Sequence, residues 1–277
     1  MDKLLIYQGK VRNIYDMGDD FLLMKTSDRV SSFDRHICTI DGKGELLNKM
    51  SKFWFNKTSH IIPNHLLSTK HEFTLVKRCK PIMIEFVVRG YITGSTSTSL
   101  WNHYKNGKRE YCGLHLPDNL KKNQKLKNPI ITPTTKGKVD KPISRKEIIN
   151  DYLTEKQCDF IYEKAMELFC FGQKIAEKVG FILVDTKYEF GIDNNGNILL
   201  IDEVHTCDSS RYWIKDTYEE RFQQNLEPEK LDKDCVRDWV KQRCDPYKDD
   251  IPPIDPNIIK KVYDSYSYFY NKISTQK

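Results

Sequence analysis

Long apolar runs are missing from this 277-residue chain. No stretch is long enough to span a bilayer, so no membrane-crossing protein is expected. The opening MDKLLIYQGK lacks the extended apolar core of a secretory signal. No CxxC pair occurs among the eight cysteines, Cys38, Cys79, Cys112, Cys158, Cys170, Cys207, Cys235 and Cys244. That scatter argues against a zinc site or a disulfide scaffold, and it reads as reduced thiols in a cytoplasmic protein. A GxxxxGK followed by Ser or Thr is absent, which excludes a P-loop, and no GxGxxG marks a Rossmann unit or a kinase glycine-rich loop. Neither HExxH nor GxSxG is found, and the seven histidines are scattered. Internal repeats and low-complexity tracts are absent as well.

What is present is a globular composition, 39% hydrophobic and 30% charged. The length suits one large domain or two closely joined ones. Net charge is +6 and the sequence pI about 8.7. A mild basic excess suits anionic small substrates, and a Lys-rich solvated surface would look the same. A nucleic-acid-binding module would cluster its Lys and Arg with aromatics, whereas here they are spread along the chain.

The first ~40 residues read as short strands and turns. FLLMKTS (Phe21–Ser27) is a strand, and GELLNKMSKFWF places Leu46, Leu47, Met50, Phe53 and Trp54 at helical spacing. FTLVKRCKPIMIEFVVRGYI predicts two strands parted near Lys80-Pro81. Asn106–Lys141, rich in Lys, Pro and Gly, reads as a long loop or small insertion that closes over a site. Ser144–Glu147 and Thr154–Gln157 are capping boxes, and the second opens a helix over about 155–179 ended by Gly180. The Tyr-rich tail reads as a helix that packs back on the body. Strands and helices do not alternate strictly, so the fold class is α+β.

One hairpin stands out. KYEFGIDNNGNILLIDEVHTCDSSRYW runs from Lys187 to Trp213. A two-residue turn at Asn195-Gly196 would set Glu189 opposite Asp202, with Asp185, Lys187 and Glu189 on one face. Opposed carboxylates repel, and a cation between them turns that penalty into a site, which suits Mg²⁺ shared with nucleotide phosphates. A longer turn would change the register and leave the acids facing water. Two other segments suit phosphate: YQGKVRNIYD joins Gly9 to Lys10 and Arg12, and RGYITGSTSTS gathers Arg89, Gly94 and Ser95. DSSR (Asp208–Arg211) reads either as a further anion contact or as the cap of a helix starting near Tyr212.

GKVRNIYD, TSDRVSSFD, VVRGYITGS, LVDTKYEFG and IDEVHTCDSSRYW occur in that order. Together they resemble the phosphoribosylaminoimidazole-succinocarboxamide synthase (SAICAR synthetase) family, from about Tyr7 to Trp213 and through the tail. The resemblance implies a β-rich, kinase- or ATP-grasp-like nucleotide lobe at 1–86 and a larger α+β lobe at 87–277. It implies ligation of L-aspartate to carboxyaminoimidazole ribonucleotide (CAIR) with ATP and Mg²⁺, by a monomer or homodimer, without nucleic acid or membrane. By the same resemblance Gly9, Lys10, Val11 and Arg12 would cover the ATP phosphates, with Lys136 near the nucleotide. Glu189 and Asp202 would be the magnesium carboxylates, and Lys187 a polar wall. Arg89, Ser95 and Arg211 would hold the ribotide phosphate. Asp28, Arg29, Ser31, Ser32 and Asp34 would line the CAIR and aspartate sites, and Asp208 the aminoimidazole or ribose end. Lys10, Arg12, Lys187 and Asp208 are the expected catalytic groups, through an acyl phosphate; no general base for the amine is evident. Asn13 stands where many relatives carry Asp, and His205, Thr206 and Cys207 also depart from the common pattern. Another ATP- and Mg²⁺-dependent kinase-like enzyme would share the carboxylates and lysine but need no aspartate.

Overall fold

The computed structural model describes residues 4–33, 35–94, 99–137, 140–231 and 234–276. Its amino-terminal part carries strands β1 (Leu5–Gln8), β2 (Arg12–Asp16), β3 (Phe21–Thr26), β4 (Arg29–Ser32) and β5 (Arg35–Thr39). Helix α1 (Lys43–Thr58) follows, then β6 (Leu66–Lys70) and β7 (Phe73–Lys77). The order β1-β2-β3-β7-β6 makes an antiparallel five-stranded sheet, and β4-β5 a separate hairpin. The helical spacing predicted for α1 is realised: Leu46, Leu47, Met50 and Trp54 are buried, and burying that apolar face is what fixes the helix.

The break expected near Lys80-Pro81 is the short link out of this sheet. Strand β8 (Lys80–Tyr91) crosses residue 86 unbroken and lies wholly in a second sheet, so the change of sheet falls at Arg78-Cys79. Helix α2 (Leu100–Lys105) and strands β9 (Glu110–Tyr111), β10 (Leu114–His115), β11 (Lys125–Ile131) and β12 (Thr134–Thr135) come next. The stretch read as a long loop is therefore partly sheet. β11 pairs with β8 at its two ends and is irregular between them, around Pro129. A proline on an edge strand is tolerated but hides the strand in the sequence.

Helices α3 (Arg145–Asp151) and α4 (Glu155–Lys178) both begin at the predicted capping boxes. Strands β13 (Phe181–Ile192), β14 (Ile198–Ile201) and β15 (Ser210–Ile214) complete the second sheet, and α5 (Lys215–Gln223), α6 (Asp234–Lys241) and α7 (Pro256–Ser274) end the chain. The helix expected near Tyr212 starts only at Lys215, because the aromatic run Tyr212-Trp213 pairs with β13 first. α7 packs back on α1 and α6, as the tail was expected to do.

Alternation along β13 and β8 separates core from site. Tyr188 and Phe190 on β13, with Phe86 and Val88 on β8, are fully buried in one cluster with Ile161, Ala165, Leu168 and Phe169 of α4. The intervening residues face the other way. There Glu189, Lys187 and Asp185 lie directly across from Glu85, Val87 and Arg89. The core cements one face, and polar side chains line the other.

Candidate active site

The polar face just described carries most of the site. A cavity of about 500 Å³ lies between the two sheets, lined by Ile14, Leu22, Met24 and Val76 from the first and by Glu85, Lys187 and Glu189 from the second. A neighbouring cavity of about 260 Å³ is lined by Arg89, Asp185, Arg211 and Asp234. Glu85, Lys187, Asp208 and Arg237 line both.

The hairpin brings Glu189 and Asp202 together by a different route from the one expected. Glu189 pairs with Ile201, one residue off the predicted register. The turn holds three residues, not two: Gly196 N donates to Asp193 O at 3.0 Å, and Gly196 sits at φ +83. The Asp193 carboxylate closes it, accepting from the backbone N–H groups of Asn195 (2.9 Å) and Asn197 (2.8 Å). This is the type I turn with a left-handed glycine that competes with the two-residue turn. The displaced Asp202 lies just past the strand with φ +64, and it still reaches the same lysine as Glu189.

That lysine, Lys187, is the hub. Its Nζ contacts Glu189, Glu85 Oε1 (3.3 Å) and Asp202 Oδ2 (3.5 Å). Burial opposes its charge, but Glu189, Glu85 and Asp202 outweigh that and hold its pKa well above the ordinary lysine value. Lys136 contacts the other oxygen of Glu189. Arg12 Nη1 donates to Asp202 Oδ1 at 2.9 Å and to Glu203 Oε1 at 3.1 Å. Asp202 is buried, which would raise its pKa, yet Arg12, Lys187 and Lys136 drive it below the usual carboxylate range. Arg12, expected to meet the transferred phosphoryl group, instead spends its guanidinium on Asp202 and Glu203. Four carboxylates thus face three cations.

The turn between β1 and β2 edges the same cleft through Gly9, Lys10 and Val11. Gly9 N donates to Arg12 O at 2.7 Å, and a Cβ on Gly9 would stand 2.9 Å from that oxygen, so the turn closes only on glycine. Arg29 holds it from outside: Nη2 donates to Gly9 O (2.9 Å) and to Asn13 Oδ1 (3.1 Å), and Nε to Lys10 O (3.2 Å). Ser31 Oγ also donates to Lys10 O. Asp28 accepts from Gly44 N at the start of α1, and Ser32 accepts from Arg237. None of these four lines either cavity; the segment expected to line the substrate site buttresses it, because its polar groups are taken by backbone and by the Arg237 side chain. Asp34 and Ser95 lie outside the described residues.

The ion-pair cluster around Asp185, beside the smaller cavity, has the opposite balance. On the sheet, Asp185 lies between Arg89 of β8 and Arg211 of β15. Its Oδ2 accepts from Arg211 Nη1 (2.5 Å) and Arg89 Nη1 (3.4 Å). Arg89 Nε donates to Thr132, and Arg237 Nη1 to Asp234 Oδ1 (2.5 Å), whose other oxygen lies 3.4 Å from Arg211 Nε. Asp234 is buried, but Arg211 and Arg237 push its pKa below the ordinary range. Three guanidiniums share two carboxylates.

Asp208 stands between the cavities with both oxygens engaged. Oδ2 accepts from Lys43 Nζ and Oδ1 from Tyr266 Oη, each at 2.8 Å. A carboxylate held by an ammonium and a phenol is a poor base for an incoming amine. Sequence reasoning assigned no role to Glu85, Asp185, Glu203, Lys43, Arg237, Asp234 or Tyr266. Asp185 was already on the face of Lys187 and Glu189, Glu85 was within reach of the period-two argument and Glu203 adjoins Asp202; the rest come from distant segments.

A family model described as SAICAR synthetase matches residues 5–254. The phosphoribosylaminoimidazole-succinocarboxamide synthase of Legionella pneumophila (strain Lens) is 48% identical over 97% of this chain and 87% of its own length. The chloroplastic enzyme of Arabidopsis thaliana is 51% identical over 96% of this chain, which spans 66% of that relative. A solved structure, SAICAR-synthase from Saccharomyces cerevisiae complexed with SAICAR, superposes with a TM-score of 0.83 at 30% identity, covering 99% of this chain and 96% of that one.

Proposed function

The chain belongs to the SAICAR synthetase family, and we propose that the two cavities divide its reaction between them. That reaction is the ATP-dependent ligation of L-aspartate to CAIR, giving SAICAR, ADP and phosphate in purine biosynthesis. The observation that carries the division is the opposite charge balance of two clusters on one pair of strands.

ATP takes the larger cavity, with its base against Ile14, Leu22, Met24 and Val76 and its phosphates under the Gly9–Arg12 turn. Backbone N–H groups and Lys10 suit that anion. Glu189 and Asp202 fit a magnesium ion: they converge on one cationic centre, and two carboxylates leave the remaining positions to nucleotide oxygens and water. Bound there, the ion would neutralise the β- and γ-phosphate oxygens. Lys136 and Lys187 orient the carboxylates, and Arg12 fixes Asp202.

CAIR takes the smaller cavity, with its phosphate toward Arg89, Arg211 and the Gly94 turn that leads to Ser95. Its carboxylate then lies at the junction lined by Lys187, Asp208 and Arg237. The carboxylate attacks the γ-phosphorus, ADP leaves, and an acyl phosphate forms. The aspartate amine attacks that carbonyl and phosphate departs. Positioning and electrostatics are the protein's share. The amine sheds its proton to solvent or phosphate, since Asp208 is occupied. The eight free cysteines support a cytoplasmic setting.

The test is ADP release from purified protein with ATP, Mg²⁺ and CAIR, with and without L-aspartate, and products weighed by mass spectrometry. Aspartate-dependent turnover to SAICAR is expected. ADP released equally without aspartate, with no ligated product, would replace this reading with a kinase-like one.

A further inference from the structure

The family match ends at residue 254, before α7 begins at Pro256. Yet α7 reaches the junction of the two cavities. Tyr266 is 1% exposed, and its hydroxyl lies 2.8 Å from Asp208 Oδ1 and 3.3 Å from Cys207 O. A phenol has one proton to give. The shorter distance and the charged acceptor assign it to Asp208.

Asp208 is the meeting point of three separate parts of the chain. Lys43, in the first turn of α1, bonds its other oxygen and also donates to Arg29 O at 3.0 Å. Arg29 in turn grips the carbonyls of Gly9 and Lys10 in the phosphate-facing turn. On the other side, Asp208 N donates to Thr206 Oγ1, Thr206 bonds Glu203, and Glu203 pairs with Arg12. The buried hydroxyl of α7 thus anchors a carboxylate that borders both cavities and leads by hydrogen bonds to both ends of the nucleotide turn.

Resting on the assignment of this cleft as the ligase site, we infer that Tyr266 is a positioning residue for the reaction. Its hydroxyl orients Asp208, so the carboxy-terminal helix is part of the active site's support and not only of its core. Removing a donor from a carboxylate eases its protonation. The consequence is visible in the pH profile, which a purely packing role would leave in place.

Tyr266→Phe keeps the ring and deletes the hydroxyl. Its kcat is expected to fall roughly ten-fold, with KM for ATP little changed. The acidic limb of kcat against pH should move up by about half a unit or more. In an Asp208→Asn background the same change should cost little further, since the two act as a unit. 3-Fluorotyrosine at 266 preserves ring and hydroxyl and makes a stronger donor, so the acidic limb should move down; this covers the case in which Tyr266→Phe fails to fold. A folded Tyr266→Phe protein with unchanged kcat and acidic limb overturns the inference, and so does an unmoved limb with fluorotyrosine. Loss in the double variant equal to the product of the single losses does too. An inactive wild-type protein would instead remove the ligase reading itself, so the two failures are separable.

Discussion

Two clusters share strands β8 and β13 and differ in charge balance. At the Glu189 end, Glu85, Glu189, Asp202 and Glu203 surround Lys187, Lys136 and Arg12. At the Asp185 end, Arg89, Arg211 and Arg237 surround Asp185 and Asp234. One end carries a carboxylate in excess and suits a cation; the other carries a guanidinium in excess and suits an anion. The switch takes two steps of the strand period, from Asp185 through Lys187 to Glu189. The proposed metal–nucleotide and phosphate sites thus lie side by side along one pair of strands, with part of the difference written in their cross-strand partners.

The sharpest way to break this comparison is to remove one excess at a time. Asp202→Asn takes a carboxylate from the first cluster, and kcat for ADP release should fall by about a hundred-fold or more with circular dichroism unchanged. Turnover near wild type would take Asp202 out of the metal role.

Acid should separate the clusters next. His65 borders the first cleft. Burial holds it neutral, with its pKa lowered from 6.5 to about 4 despite the pull of Asp202. The unfolded chain gains that proton near its ordinary value, the folded chain only near the lowered one. Stability is therefore full above about 6.5 and is lost as pH falls toward 4, by on the order of 3 kcal/mol for this group. His205, buried and lowered to about 3, acts in the same direction. Urea melts across that range should show the slope, and a folded His65→Gln protein should show less of it; an equal slope would assign the acid loss elsewhere.

Arg211→Ala removes an excess guanidinium from the second cluster. KM for CAIR should rise roughly ten- to thirty-fold, while KM for ATP stays within a factor of about two. A rise for ATP instead would mean the cavities are misassigned. The smallest effect belongs to Arg29→Ala, which frees the Gly9 and Lys10 carbonyls without touching either cavity. A rise of about three-fold in KM for ATP is expected, with KM for CAIR unmoved.

Local rules made much of this molecule legible. The capping boxes at Ser144 and Thr154 carry their own hydrogen bonds, and the apolar stripe of α1 needs only a core to lie on. The gathering of Glu189, Asp202 and Lys187 was readable too, but its register was not. Asn195-Gly196 favours a two-residue turn until the Asp193 side chain closes the three-residue one. β11 was hidden by Pro129, and Glu85 by the apolar run around it. Arg237, Lys43 and Tyr266 could not be read, because they meet the site from helices whose placement depends on tertiary packing. The SDRVSSFD residues show the reverse case. The resemblance pointed them to substrate, while Asp28 and Arg29 are taken by backbone groups of α1 and the Gly9–Arg12 turn.

The measurement that tests the charge comparison most directly is calorimetric titration of Mg·ADP and of CAIR, separately, into wild type, Asp202→Asn and Arg211→Ala. The account predicts a crossed pattern. Asp202→Asn should lose affinity for Mg·ADP and keep it for CAIR, and Arg211→Ala should do the opposite. If both variants weaken both ligands alike, the two clusters form one undivided site and the account is wrong.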